Sequence, residues 1–144
     1  MAADQGNIAA EVRRVPNADW FHVDVMDNHF APNMGFSAAA LKSVADLKQA
    51  PIDAHLMIEN PENFLKTFIE AGADSLTFHA EATKKIDECI DIIKSSNKRV
   101  GIAIKPNTPF NEIKQYLNKI DMVLVMTVDP GFSGQGFLAN QVEK

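Results

Sequence analysis

The sequence predicts an α/β fold in which parallel strands alternate with helices. Three observations favour it: five short runs rich in β-branched or aromatic residues, amphipathic segments between them, and a regular spacing. The runs cover residues 20–26, 52–58, 75–80, 100–104 and 122–128. Their starts lie 32, 23, 25 and 22 residues apart, which is typical of repeated β-α units. Right-handed helical crossovers would make neighbouring strands parallel.

Two architectures are compatible with this rhythm, an open doubly wound sheet and a closed eight-stranded barrel. No Gly-x-Gly-x-x-Gly or Walker-type loop follows any of the runs, which disfavours a nucleotide-binding open sheet. No internal linker interrupts the pattern. We therefore expect residues 1–144 to form one domain or a piece of one.

Four helices are predicted between the strands. The first is capped by Ser37, and the second begins at Asn60-Pro61 and ends at Gly72, because proline at the first helical position loses no hydrogen bond. The fourth begins at Thr108-Pro109. Their inward-facing residues are expected to be Ala40, Leu41, Val44 and Leu47; Phe64, Leu65, Phe68 and Ile69; Ile86, Cys89, Ile90 and Ile93; and Ile113, Tyr116 and Leu117.

Composition narrows the function class. The chain has 144 residues with a net charge of −5, so it lacks the basic surplus of a nucleic-acid-binding protein. It has no apolar run near the roughly 20 residues that span a bilayer, and its first residues lack a signal-peptide pattern. The lone Cys89 is expected to belong to the core. We expect a cytoplasmic protein that binds neither nucleic acid nor membrane.

The first strand carries ionisable residues on one face. His22, Asp24 and Met26 alternate with apolar residues and therefore share that face. Ionisable groups inside a parallel sheet are costly unless they are paired, hydrogen-bonded or bound to a metal. For this strand alone, a buried His–Asp pair explains the pattern as well as a metal site does.

The second strand repeats the pattern, with Asp53, His55 and Met57 on one face. Two strands that each offer histidine and carboxylate favour a divalent metal with nitrogen and oxygen ligands, namely Zn, Fe, Mn or Co. The spacing does not identify the metal. On the third strand His79 is expected to be an interior, hydrogen-bonded histidine, and His29 is expected to be exposed or to brace a loop.

A glycine-rich segment, residues 129–136 (DPGFSGQG), follows the last strand. Its three glycines would let backbone amides approach an anion such as a phosphate, although a merely flexible connection is the alternative. Met26, Met57 and Met126 each lie at the carboxyl end of a strand. They are either core residues or an apolar collar around a reacting centre.

Four blocks in this order resemble the signature of the ribulose-phosphate 3-epimerase family: residues 22–30 (HVDVMDNHF), 53–57 (DAHLM), 102–109 (IAIKPNTP) and 125–135 (VMTVDPGFSGQ). The resemblance implies a TIM (β/α)8 barrel. Because such barrels have about 250 residues, residues 1–144 are expected to be a single, partial ribulose-phosphate-binding barrel domain. It would hold about strands 2–6 of eight, without the first strand and the last two.

The resemblance also implies an isomerase of the pentose phosphate pathway. The reaction is a metal-assisted interconversion of D-ribulose 5-phosphate and D-xylulose 5-phosphate by removal and return of the C3 proton through an enediolate. His22, Asp24 and His55 match metal ligands, and Asp24 also matches an acid/base carboxylate. The residues that match substrate contacts are Met26, His55, Met57, Met126, Gly131, Phe132, Ser133 and Gly134. A homo-oligomer that takes a small sugar phosphate is expected.

Departures from the family pattern leave two alternatives. The family's second acid/base aspartate lies on a later strand that the sequence does not reach, so this chain alone is expected to turn over negligibly. Asn28 stands where the family has glycine, a mild change because asparagine tolerates a left-handed backbone. The alternatives are a hexulose (allulose) 6-phosphate 3-epimerase, and a catalytically inactive truncated barrel that only binds a ligand or partner.

Overall fold

Five parallel strands form one sheet in the computed structural model, which describes residues 3–144. The strands are β1 (Phe21–Met26), β2 (Ile52–Met57), β3 (Ser75–His79), β4 (Arg99–Ile104) and β5 (Met122–Val125). Their spatial order follows the chain, β1-β2-β3-β4-β5. A doubly wound sheet reverses its strand order, whereas a β/α barrel does not. The barrel prediction is therefore confirmed.

Within the described residues, four α-helices pack on one side of the sheet, one before the first strand and three between successive strands. They are α1 (Ile8–Arg13), α2 (Ala38–Ala45), α3 (Leu65–Glu70) and α4 (Ile86–Ser95). No helix within residues 3–144 has the length and apolar character needed to cross a membrane.

The predicted helix boundaries are confirmed at two places. The Ser37 hydroxyl caps α2 by accepting a hydrogen bond of 3.2 Å from the backbone N–H of Ala40. After α3 the chain turns at Gly72, whose φ of 106° lies in the region that favours glycine. The start of α3 differs, since Pro61–Asn63 forms a short 3-10 helix and α3 follows it.

The apolar core lies between the strands and these helices. The outward-facing residues of the strands pack against the buried faces of the helices in a single cluster that includes Val23, Val25, Ala54, Leu56, Leu76, Phe78, Ile102, Ile104, Leu41, Leu65, Phe68, Ile90 and Ile93. Cys89 belongs to this cluster and is completely buried. Burial raises the pKa of its thiol to about 12, so Cys89 stays protonated and is a core residue, as predicted.

The opposite face of the sheet carries the polar residues. The register pairs His22 with Asp53, Asp24 with His55, and Met26 with Met57. Because paired residues in a parallel sheet point to the same side, the two polar faces predicted for the first two strands form one surface.

Two expectations about the helices are wrong. The segment after β4 forms two 3-10 helices, Phe110–Glu112 and Lys114–Lys119, and no α-helix. A 3-10 helix repeats every three residues, so Tyr116 follows the buried Ile113 inward while Leu117 turns outward and is 39% exposed. Phe64 is 47% exposed because it precedes α3 and lies outside its apolar stripe.

The last strand is shorter than predicted. It ends at Val125, and only one further hydrogen bond, from Met126 N–H to the Ile104 carbonyl, continues the pattern. Beyond Ile104 the neighbouring chain reaches Pro106, which has no N–H to donate. Residues 126–128 therefore leave the sheet and lead into the glycine-rich loop.

Gly101 of β4 is a close-packing point on the polar face. A Cβ at this position would overlap Thr77 Oγ1 and lie 3.0 Å from Thr77 Cβ. We expect Gly101→Ala to lower the free energy of unfolding by about 1–3 kcal/mol through overpacking. Urea unfolding measures the change, with Gly136→Ala as the control because no atom lies within 4 Å of its added Cβ. Equal stabilities of the two variants would contradict this packing.

Candidate metal centre

Three side chains from β1 and β2 converge on the polar face of the sheet. The His55 Nδ1 atom lies 3.1 Å from Asp24 Oδ1, and the His22 Nε2 atom lies 3.5 Å from the same oxygen. One ligand atom from each residue lies within 4.8 Å of the other two. The side chain of His55 is only 2% exposed, but those of Asp24 and His22 are 24% and 45% exposed. His55 is therefore enclosed by the protein, while Asp24 and His22 are accessible to solvent.

This donor set fits a divalent metal ion. Two imidazole nitrogens and a carboxylate oxygen are ligands of Zn²⁺ and related ions, and about 2.1 Å from a tetrahedral ion they would lie about 3.4 Å apart. The separations of 3.1 and 3.5 Å are close to that value. Three ligands from the described residues also leave a position for another group, as in catalytic sites.

Asp53 orients His22. The Nδ1 atom of His22 lies 2.9 Å from Asp53 Oδ2, and the Thr77 hydroxyl donates to the other oxygen at 2.8 Å. The hydrogen bond to Asp53 raises the pKa of His22 and outweighs the opposing effect of its partial burial. Because an ionised carboxylate only accepts, the proton of a neutral His22 lies on Nδ1, and Nε2 presents its lone pair toward Asp24.

Asp24 is ionised at neutral pH. Burial on its own raises the pKa of this carboxyl, but the hydrogen bond from His55 and the charges of His55 and His22 outweigh it, so the pKa is lowered. The ionised form is the one that binds a cation or accepts a proton.

His79 of β3 lies behind His55 and is fully buried, as predicted. Its Nε2 atom lies 2.9 Å from His55 Nε2, and its Nδ1 atom lies 3.3 Å from Glu81 Oε2. The ring of Phe30 covers it with centroids 4.8 Å apart. Burial lowers the pKa of His79 to about 4, so the ring is neutral at pH 7.

Glu81 is a residue that the sequence reasoning missed. It lies in the 3-10 helix Ala80–Ala82, where its Oε1 atom accepts hydrogen bonds from the Lys105 backbone N–H at 2.7 Å and from the Thr108 hydroxyl. Burial opposes ionisation of Glu81, but hydrogen bonds from His79, Thr108 and Lys105 lower its pKa to about 2. The spacing of two from His79 was the available signal, because it continues the polar face beyond the strand.

A cavity of about 400 Å³ lies beside the three candidate ligands. Of the sequence-predicted substrate contacts, those that line it are Met26, His55, Met57, Met126, Gly131, Phe132 and Ser133. Gly134 does not line it; its φ is 79° and no atom would lie within 4 Å of an added Cβ. The structure thus brings all but one of the predicted residues to one cavity, and their binding roles stay predictions.

Two loops meet at the rim of this cavity. The Asn33 side chain, in the loop after β1, donates to the Gly131 carbonyl at 2.8 Å. The Gln135 amide donates to the carbonyls of Asp129 and Phe132 at 2.7 and 2.8 Å. In the first loop His29 is exposed, with Nδ1 2.8 Å from the Asp27 carbonyl oxygen, so it braces the loop as expected. These bonds hold the rim in a defined conformation.

Comparison with known proteins decides the family. The model of the "Ribulose-phosphate 3 epimerase family" matches residues 1–144. The chain belongs to this family. Its fold is therefore the TIM barrel of the ribulose-phosphate 3-epimerase family, whose members are isomerases.

Individual relatives agree over the whole chain. The chain is 40% identical over 144 residues to a ribulose-phosphate 3-epimerase of Mycobacterium leprae (strain TN), and 41% identical to one of Mycobacterium tuberculosis (strain ATCC 25618 / H37Rv). It is 39% identical over 150 residues to the cytoplasmic isoform of Oryza sativa subsp. japonica. These alignments cover 100% of this chain but 64%, 63% and 66% of the relatives. The chain thus spans just under two thirds of their length.

A solved structure supports the fold independently. The lyase/mutase structure from Burkholderia cenocepacia J2315 matches with a TM-score of 0.58 over 84% of this chain and 50% of that one. At 15% identity this likeness concerns the fold alone.

The ionisation of Glu81 makes stability depend on pH. Its pKa falls from an ordinary 4.5 to about 2 on folding, so its stabilising effect is complete above pH 4.5 and is lost as the pH falls through about 2. At pH 7 we expect Glu81→Gln to lower the free energy of unfolding by about 1–2 kcal/mol, less than the full value of that shift because water screens this partly exposed carboxylate. The deficit should shrink between pH 5 and pH 2.

Denaturant unfolding across that pH range measures the effect. Glu70→Gln is the matched control, because Glu70 makes the same charge change at an exposed site on α3. A deficit of Glu81→Gln that is independent of pH would show that the carboxylate charge is not responsible.

Proposed function

We propose that the full-length protein is a metal-dependent epimerase that interconverts D-ribulose 5-phosphate and D-xylulose 5-phosphate. The observation that carries this proposal is the convergence of His22, Asp24 and His55 beside a cavity, in a chain of the ribulose-phosphate 3-epimerase family. We also propose that residues 1–144 belong to a single ribulose-phosphate-binding β/α barrel domain, of which they form a part.

His22, Asp24 and His55 are the proposed ligands of a Zn, Fe, Mn or Co ion. When bound, the ion supplies positive charge that stabilises the negative charge developing on the substrate oxygens as the C3 proton leaves. Asp53 and Thr77 support this role, since their hydrogen bonds hold the His22 ring with Nε2 toward the site.

Asp24 is the proposed acceptor of the C3 proton. That proton is acidic because it is adjacent to the C2 carbonyl, and its removal leaves an enediolate. Asp24 is ionised and lines the cavity, so a carboxylate oxygen can take the proton from one face of the substrate. Inversion then requires a second acid that returns a proton to the opposite face.

The remaining cavity residues are proposed to hold the substrate. Met26 and Met57 are buried, and together with Met126 they line the cavity with apolar surface that excludes water from the reacting carbon. The backbone of residues 131–134 is proposed to face the substrate phosphate, since glycines let amides approach an anion closely. A cytoplasmic location and a homo-oligomer are part of the proposal, supported by the resemblance and by the rice isoform's name.

Substitution of Asp24 tests the proposal. In the full-length protein, we expect Asp24→Asn to lower kcat/KM at least about 100-fold, because it removes a proton acceptor and a ligand charge. Asp91→Asn, at an exposed position of α4, is the matched control and should leave the rate unchanged. Chelation should abolish turnover, and added divalent metal should restore it.

The assay compares D-ribulose 5-phosphate with allulose 6-phosphate as substrates, with folding checked by circular dichroism. Near-normal activity of a folded Asp24→Asn variant would remove Asp24 from its role. Metal-loaded wild-type protein that converts allulose 6-phosphate but not D-ribulose 5-phosphate would contradict the proposed substrate.

A further inference from the structure

We propose that His79 and Glu81 are positioning residues that fix the protonation pattern of His55, so that its Nδ1 atom presents a lone pair to the metal site. Their hydrogen bonds form a relay behind the site, which runs from Glu81 Oε2 through both nitrogens of His79 to His55 Nε2. This inference rests on the proposed role of His55 as a metal ligand.

The donor-to-acceptor direction of the hydrogen bonds in this relay is set by Glu81. An ionised carboxylate only accepts hydrogen bonds. Its Oε1 atom already accepts from the Lys105 backbone N–H and the Thr108 hydroxyl, and its Oε2 atom faces His79 Nδ1 at 3.3 Å. The proton on this side of His79 therefore lies on Nδ1.

The contact between His79 and His55 extends this hydrogen-bond direction to His55. Their Nε2 atoms are 2.9 Å apart, and a hydrogen bond at that distance needs one N–H and one lone pair. The His79 ring is completely buried, which disfavours a second proton on it. Its Nε2 atom is therefore the acceptor, and His55 Nε2 carries the donated proton.

The consequence appears on the far side of His55. A neutral imidazole has one N–H, so a proton held on Nε2 leaves a lone pair on Nδ1, the atom that lies 3.1 Å from Asp24 Oδ1. That lone pair and the Asp24 carboxylate repel each other unless a cation lies between them. Without a metal ion, a proton at this position makes the hydrogen bond between His55 and Asp24, and a metal ion would replace that proton. The relay therefore prepares a position for a positive charge between His55 and Asp24.

The packing around His79 keeps this geometry fixed. Its ring contacts the ring of His55, with centroids 5.1 Å apart, and the ring of Phe30, with centroids 4.8 Å apart. His22 is oriented in a similar way but by a single residue, because Asp53 accepts a hydrogen bond from its Nδ1 atom. Both histidine ligands are thus held by an acceptor on the side away from the site, an arrangement that strengthens metal binding.

Glu81→Gln tests the direction of the relay. The glutamine carbonyl can keep the bonds from Lys105 and Thr108, but its amide then donates toward His79 Nδ1. His79 would carry its proton on Nε2 instead, and His55 would have to carry its own on Nδ1, where it competes with the metal. We expect the affinity for Zn²⁺, measured by titration calorimetry, to fall about 10–100-fold.

Thr108→Val is the matched control. It removes one hydrogen bond to Glu81 but leaves the carboxylate facing His79, so the affinity for Zn²⁺ should stay within about threefold of the wild-type value. An equal loss of affinity in both variants would show that Glu81 acts only through stability and would overturn the proposal.

Nitrogen-15 NMR of the histidine rings reads the protonation pattern directly. In wild-type protein we expect a proton on His55 Nε2 and on His79 Nδ1, and none on His79 Nε2, with or without Zn²⁺. Zn²⁺ bound through His55 Nε2, or a proton on His79 Nε2, would overturn the relay. Wild-type protein that binds no Zn²⁺ would contradict the proposed function instead, while the zinc-free spectrum would still decide the relay.

Discussion

The pairing of Asp24 with His55 across β1 and β2 is the constraint on which the site depends. Side chains alternate along a strand, so a shift of one residue in this register would turn His55 outward and Ala54 inward. The outward face is the apolar core, where an imidazole would lose its partners. Burial of that core therefore fixes the register, and the register assembles the candidate ligands.

Hydrogen bonding makes this polar interior compatible with folding. Ionisable groups inside a sheet are costly when unpaired, yet within residues 3–144 Gln141 Oε1 is the one buried side-chain polar atom without a hydrogen-bond partner. Asp53, Thr77, His79 and Glu81 satisfy the ligands from behind. These hydrogen bonds thus offset the free-energy cost of burying the polar face, and they also orient its side chains.

Strand periodicity accounts for what the sequence could predict. The alternation in residues 20–26 and 52–58 was enough to place His22, Asp24 and His55 on one face, because side chains alternate along a strand with a period of two. Ser37 and Gly72 marked helix ends for equally local reasons. The loop residue Asn28, with a φ of 59°, adopts the left-handed backbone that asparagine tolerates.

Features that depend on distant partners were not predictable in this way. The spacing of Glu81 from His79 could place it on the polar face, but its hydrogen-bond partners Lys105 and Thr108 follow a different strand and are not revealed by that spacing. The apolar spacing also did not distinguish the 3-10 helices after β4 from an α-helix, and it did not show that Phe64 precedes α3 and is exposed. The meeting of Asn33 with Gly131 joins loops 98 residues apart.

The most direct test of this account is to locate the metal. Anomalous X-ray scattering from crystals of the protein grown with Zn²⁺ should show one ion bonded to His22 Nε2, a carboxylate oxygen of Asp24 and His55 Nδ1. An ion at another place, or one that leaves any of these three side chains unbound, would contradict the account.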